Sequence, residues 1–220
     1  MKKILTTAIL CAGLVGFTAC DSFLDEEPKS SLTLDTYYKT SADIIGNVNY
    51  LYRDGAPDKM GNMTGAYRGS SLSVMNMVTG YFVNEYEGQE VDCSYARQLT
   101  RQNFTQSCCN YLTNDTWKGC YKSINVANAV IKYVDGVEMD GQAQYKAEAR
   151  FFRALNYFYL VKMFGDVPMI TEPTEDATLV EYPARTAASE VYKTVIIPDL
   201  QFAVENLPDA TFAGNSHRLT

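Results

Sequence analysis

AEARFFRALNYFYLVKMFGDVPMIT, residues 147–171, is the stretch on which the fold turns. It is entered through a charged turn (Lys146, Glu148, Arg150), and from Phe151 to Phe164 it is apolar or aromatic on nearly every side. A helix that is apolar all round has to be covered by other helices, so this one, beginning near Gln142, is expected at the centre of a packed bundle. Gly165 stands where a left-handed C-terminal cap is wanted, and Pro168 forbids continuation.

Its partners can be read outward in both directions. Upstream, Trp117, Tyr121, Ile124, Asn128 and Ile131 are spaced 4, 3, 4, 3, which puts them on one helical stripe. Trp117 then belongs to the core, and Asn128 points into a packed interface where its amide needs partners. Asn114 or Asp115 can cap this helix, and Asp135-Gly136 marks its end. Downstream, a helix from Ala187 to Asn206 carries Tyr192, Ile196, Leu200, Ala203 and Leu207 on one face, with Pro198 expected to kink it. Nearer the N-terminus, Leu34 to Arg53 reads as a helix burying Ile44, Ile45, Val48, Leu51 and Tyr52. Ser71 to Val83 reads as another, with Leu72, Met75, Val78 and Phe82 inward. No strand is expected. Helices joined by short turns, each burying a stripe on its neighbour, predict an all-α, tetratricopeptide-like antiparallel stack.

The first residues set an address. Lys2 and Lys3 precede an apolar run from Ile4 to Phe17 that is too short for a comfortable membrane span. Thr18 and Ala19 then lead into Cys20, so residues 1–19 read as a lipoprotein signal peptide and Cys20 as the acylated N-terminus. Phe17 stands where Leu is usual in such signals. Several acyl chains anchor firmly, since each buried methylene contributes ~0.8 kcal/mol. Residues 20–33 form a polar, acidic tether, and 34–220 the helical domain.

Composition narrows the function. Loss of Lys2 and Lys3 leaves 17 basic residues against 26 acidic ones, a net charge of −9. That balance excludes a nucleic-acid partner, whose phosphates demand a basic footprint. The one histidine, His217, permits neither a histidine triad nor a histidine-rich metal site. No nucleophile elbow, phosphate loop or dinucleotide fingerprint occurs, so neither a cofactor nor catalysis is expected. Glu85, Glu87, Glu90 and Asp92 are the carboxylates from which a glycosidase pair or a calcium site would have to come, and they read as a solvated acidic loop. Cys93, Cys108, Cys109 and Cys120 remain in the mature chain, open to one bridge such as Cys109–Cys120, to two, or to buried thiols.

Residues 84–110 keep no period and read as an irregular excursion, a long loop of the kind that is usually functional or disordered. They mix rings with hydrogen-bonding groups: Tyr81, Tyr86 and Tyr95 beside Asn84, Glu85, Gln89 and Arg97. Flat sugar faces stack on exposed rings while polar groups orient the hydroxyls, and for the glycan ligand that the family resemblance below implies, these seven are the candidate binding residues.

Four stretches resemble, in order, the SusD/RagB family of outer-membrane nutrient-binding lipoproteins. They are Cys20 followed by Phe23-Leu24-Asp25 and Pro28, the Trp117-Tyr121-Ile124-Asn128 helix, the 147–171 block with its Gly165-Asp166-Val167-Pro168 turn, and Val191-Tyr192 through Asp199-Leu200, Ala203 and Leu207-Pro208. Ser216-His217-Arg218-Leu219-Thr220 is similar to the family's Gly-Arg-x-Thr loop, with Ser216-His217 in place of the Gly. The resemblance implies the N-terminal portion of a longer, surface-exposed protein of the outer membrane. That protein would capture oligosaccharide and deliver it to a TonB-dependent, SusC-like transporter. A peptide binder of the same architecture and a glycosidase using Glu85 to Asp92 are the alternatives.

Overall fold

The structure, a computed structural model, describes residues 33–55, 79–82, 98, 100–103, 116–174, 183–209 and 218–219. The chain divides into two units, residues 1–36 and 37–220. In the first, Thr33 and Thr36 tie the start of α1 (Leu34–Tyr37) through reciprocal backbone-to-hydroxyl bonds of 2.9 and 3.3 Å.

The helix expected from Leu34 to Arg53 is two helices. After α1 the chain breaks at 38–40, and α2 (Ser41–Tyr50) starts afresh with Thr40 as its N-cap. The break has a local cause: the Asp43 carboxylate accepts from the Thr40 amide (2.8 Å) and hydroxyl (2.7 Å) and from the Lys39 amide (3.3 Å), fixing a helix start there. Those bonds, the Thr40 hydroxyl first, hold the Asp43 carboxyl below the usual carboxylate range. Ile44, Val48 and Leu51 are buried as expected, whereas Ile45 and Tyr52 are only half-buried, and α2 runs on into a π-turn at Leu51–Gly55.

Of the helix expected at 71–83, only 79–82 is among the described residues, and it is a turn around Gly80 (φ 79°). Phe82, expected inward, is 55% exposed. Within the excursion, Gln98 and Thr100 are helical, and the chain turns at Gln102 (φ 52°).

α3 (Lys118–Tyr133) follows a helical entry at Thr116 and Trp117 and closes in a 3-10 turn at Val134–Gly136, where Asp135-Gly136 marked its end. Its caps at Asn114 or Asp115 lie outside the described residues. Ile124 and Asn128 are buried, but Trp117 is only half-buried, at the rim of the core. Its ring centroid lies 5.1 Å from both Tyr121 and Phe164.

α4 (Gln142–Phe164) is the central helix, packed against α3 on one side and the C-terminal helices on the other. Tyr157 and Leu160 are fully buried beside Ile124, Val191 and Val195. Burial of each such side chain contributes about 1.5–3 kcal/mol. Coverage is not complete: Phe158 keeps 36% of its surface exposed. The charged entry turn is not all surface either, because Glu148 is fully buried. Gly165 ends the helix at φ 70°. Pro168 then lies in a two-residue strand, β1 (Val167–Pro168), antiparallel to β2 (Arg185–Thr186), where no strand was expected.

The segment after β1 is tied down by side chains. The Tyr121 hydroxyl donates to the Pro168 carbonyl (2.7 Å), the Tyr157 hydroxyl donates to Ile170 O (2.9 Å) and accepts from Ile170 N–H (2.6 Å), and Asn125 Oδ1 accepts from the Thr174 amide (2.7 Å).

The last helix does not have the single α-helical face expected over 187–206. α5 (Ala188–Val191) passes through a π-turn (Tyr192–Ile196) into α6 (Ile197–Asn206), with Pro198 in its first turn. Pro198 lacks an amide to donate and its ring would press on the carbonyl one turn back; the wider turn before it accommodates both. The buried residues are Val191, Val195, Ile196, Asp199 and Ala203, whereas Leu200 is 39% exposed.

Candidate functional site

Of the seven candidate glycan-binding residues, Tyr81 is described. Asn84, Glu85, Tyr86, Gln89, Tyr95 and Arg97 lie outside the described residues, as do Cys20 and the acidic residues Glu87, Glu90 and Asp92. Tyr81 is 89% exposed, beside the exposed Phe82, on the turn that Gly80 opens with its positive φ. Its amide donates to the Thr79 hydroxyl (3.3 Å). Trp117 is not exposed in this way, being wedged between Tyr121 and Phe164.

The polar chemistry that the structure does organise comes from α4, in residues the sequence reading did not single out as sites. Arg153 is 8% exposed. It donates from Nε and Nη2 to the two oxygens of buried Asp199 (2.6 and 2.8 Å) and from Nη1 to Asn128 Oδ1 (2.9 Å). The Asn128 amide donates in turn to the carbonyls of Ile170 (3.0 Å) and Glu172 (3.2 Å), so the partners that its position on the α3 stripe demanded are present. Five residues before Arg153, Glu148 receives Arg218, and Gln144 Nε2 donates to the same carboxylate (3.1 Å). Burial opposes the charge on Arg218, but the hydrogen bonds and charge of Glu148 outweigh it and raise its pKa. The signal was present in the sequence: two opposite charges, Glu148 and Arg153, inside a helix that cannot expose all its sides.

Cys120 is a free, buried thiol, so the Cys109–Cys120 bridge is not formed. Burial raises its pKa to about 12, which leaves it unreactive. Cys93, Cys108 and Cys109 lie outside the described residues. Among the described residues no three His, Cys, Asp or Glu side chains group as a metal site would need, and no helix is long and apolar enough to cross a membrane. A cleft of about 340 Å³ is lined by Ser41, Ile45, Met139, Asp140, Gln144 and Tyr145. A more apolar groove of about 440 Å³ runs between Phe151, Leu200, Val204, Leu207, Pro208 and Leu219.

A family profile described as starch-binding associating with outer membrane matches residues 22–219. The chain belongs to the SusD-like family. The SusD-like protein P2 of Formosa agariphila is 31% identical over 97% of this chain and 40% of its own length. Among solved structures, a SusD superfamily protein from Parabacteroides distasonis is 28% identical, with a TM-score of 0.56 over 74% of this chain and 33% of that one. A laminarin-binding SusD-like protein is 26% identical, with a TM-score of 0.60 over 78% and 35%. The chain thus spans about two fifths or less of the length of the relatives it matches. The expected fold class holds: an all-α, tetratricopeptide-like SusD fold.

Proposed function

We propose that this chain is part of a surface lipoprotein that binds oligosaccharide and passes it to a TonB-dependent transporter. Membership of a family described as starch-binding carries the reading, and a laminarin-binding relative agrees with it. Tyr81, Asn84, Glu85, Tyr86, Gln89, Tyr95 and Arg97 are the contact residues of this proposal, and the 89% exposure of the Tyr81 ring is consistent with it. Residues 1–19 act as the signal peptide, Cys20 carries the lipid, 20–33 form the tether and 34–220 the helical domain.

The test is calorimetric titration with a panel of soluble neutral polysaccharides, on wild type and Tyr81→Ala. The expected result is saturable binding that weakens by roughly 10-fold or more in the variant, the loss of one stacking ring in a small site. Reducing sugar released during titration would instead favour the glycosidase alternative. Binding unchanged in Tyr81→Ala would remove Tyr81 from the site.

A further inference from the structure

Two aromatic rings, a buried carboxylate and an amide oxygen converge on one guanidinium near the start of α4. Glu148 is fully buried, and Arg218 meets it with two bonds, Nε to Oε1 (3.1 Å) and Nη2 to Oε2 (2.5 Å). Arg218 Nη1 donates to Asn49 Oδ1 at 3.0 Å. The rings of Tyr52 and Tyr145 each lie with their centroid 5.1 Å from the guanidinium carbon. Next door, the Leu219 amide donates to the Tyr52 hydroxyl (2.9 Å). A fork on a carboxylate, a further edge on an amide and two rings over the ion match a planar, delocalised cation. A lysine ammonium would satisfy the charge and little else.

We propose that Asn49, Tyr52, Tyr145 and Glu148 form a guanidinium-selective receptor that Arg218 fills in cis, latching residues 218–219 across α2 and α4. The receptor does not depend on the glycan reading. Burial supplies the drive: with Arg218 withdrawn, the described partners left to Glu148 are the neutral amide of Gln144 and the Tyr52 hydroxyl, so the pocket draws a cation. Selectivity for a guanidinium comes from the fork on Glu148, the Asn49 oxygen and the two rings. Its ligand class is the alkylguanidinium, whether the side chain of this chain or an arginine of another polypeptide. The latch also sets Leu219 as a wall of the apolar groove beside Phe151 and Leu207.

Chemical rescue tests the receptor on the whole chain. Arg218→Ala is expected to lower the melting temperature by roughly 5–15 °C. Ethylguanidinium at millimolar concentration should recover about half of that loss. Ethylammonium at the same concentration should not, and wild type should respond to neither. An Arg218→Ala protein that melts like wild type, that ignores ethylguanidinium, or that is rescued equally by ethylammonium overturns the proposal. Should Arg218→Ala fail to fold, Arg218→Lys decides: the receptor requires it to melt well below wild type, and equal melting overturns the selectivity.

Discussion

The central helix buries two opposite charges, and they are neutralised in different ways. Arg153 finds Asp199 on α6 and Asn128 on α3, so its partners among the described residues sit on helices already packed against α4. Glu148 finds its cation on a segment outside those helices, at residue 218, which also reaches back to Asn49 on α2. The first pair is fixed by helix register, since placing α3 and α6 on α4 brings its members together. The second exists only once residues 218–219 have closed over α2 and α4. Buried ion pairs add little net stability when intact, yet breaking one leaves an uncompensated charge. The two pairs should therefore tolerate different kinds of damage.

The strongest way to break this contrast is Asp199→Ala, which leaves Arg153 buried with Asn128 as its remaining close partner. Chemical denaturation should show a loss of about 3–5 kcal/mol. Replacing both partners together, Arg153→Met with Asp199→Leu, should restore most of that or exceed wild type. A single-variant cost below about 1 kcal/mol would mean that register does not hold the pair as described.

A smaller effect sharpens the same point on the α3 side. Tyr157→Phe removes the hydroxyl that serves both Ile170 N–H and Ile170 O and should cost about 1–3 kcal/mol. Amide exchange at Ile170 should rise in step, while exchange in α6 stays unchanged. Equal acceleration in both places would show that the tied segment and the ion pair are one cooperative unit.

Smallest is the response of α2 to acid. The Asp43 carboxyl is held below its ordinary value of 3.8 by bonds that exist only in the folded chain. Its contribution is therefore complete above that value and is lost as pH falls through the lower, folded one. Exchange of the Lys39 and Thr40 amides, which Asp43 holds, should accelerate over that interval in wild type and be pH-independent, beyond intrinsic chemistry, in Asp43→Asn. An unchanged profile in the variant would detach the cap from Asp43.

Much of the frame was legible because it is repetitive. The 4-3-4-3 spacing from Trp117 to Ile131 and the apolar density of 151–164 each named a helix, and Asn128 announced its own need for partners. What escaped were features set by one residue against its neighbours. Thr40 with Asp43 is a capping signal inside a stretch that otherwise reads as one helix. Trp117 sits on the right stripe but at its first turn, where the core thins out. Leu200 lies on the periodic face, yet a polar neighbour, Asp199, takes the buried place because Arg153 waits there. The Arg218 contacts were invisible, since no periodicity links residue 218 to Asn49 or Glu148. Of the candidate glycan residues, composition picked out Tyr81, whose ring stands in solvent; ring exposure follows from a turn at Gly80 that the helical pattern through Val83 concealed.

The π-turn at Tyr192–Ile196 has a consequence for how this chain is compared with others. Such a turn is an α-helix that has absorbed one additional residue, its amide bond reaching from Ile197 back to Tyr192. A sequence lacking that residue can keep the same helix on either side by reverting to α geometry. Everything before the turn then shifts by one place, about 100° of rotation, relative to everything after it. An ungapped alignment through 192–196 would therefore match Val191 correctly or Asp199 correctly, but not both. The partner of Arg153 in any such relative has to be sought by counting back from the Leu207-Pro208 end of the helix.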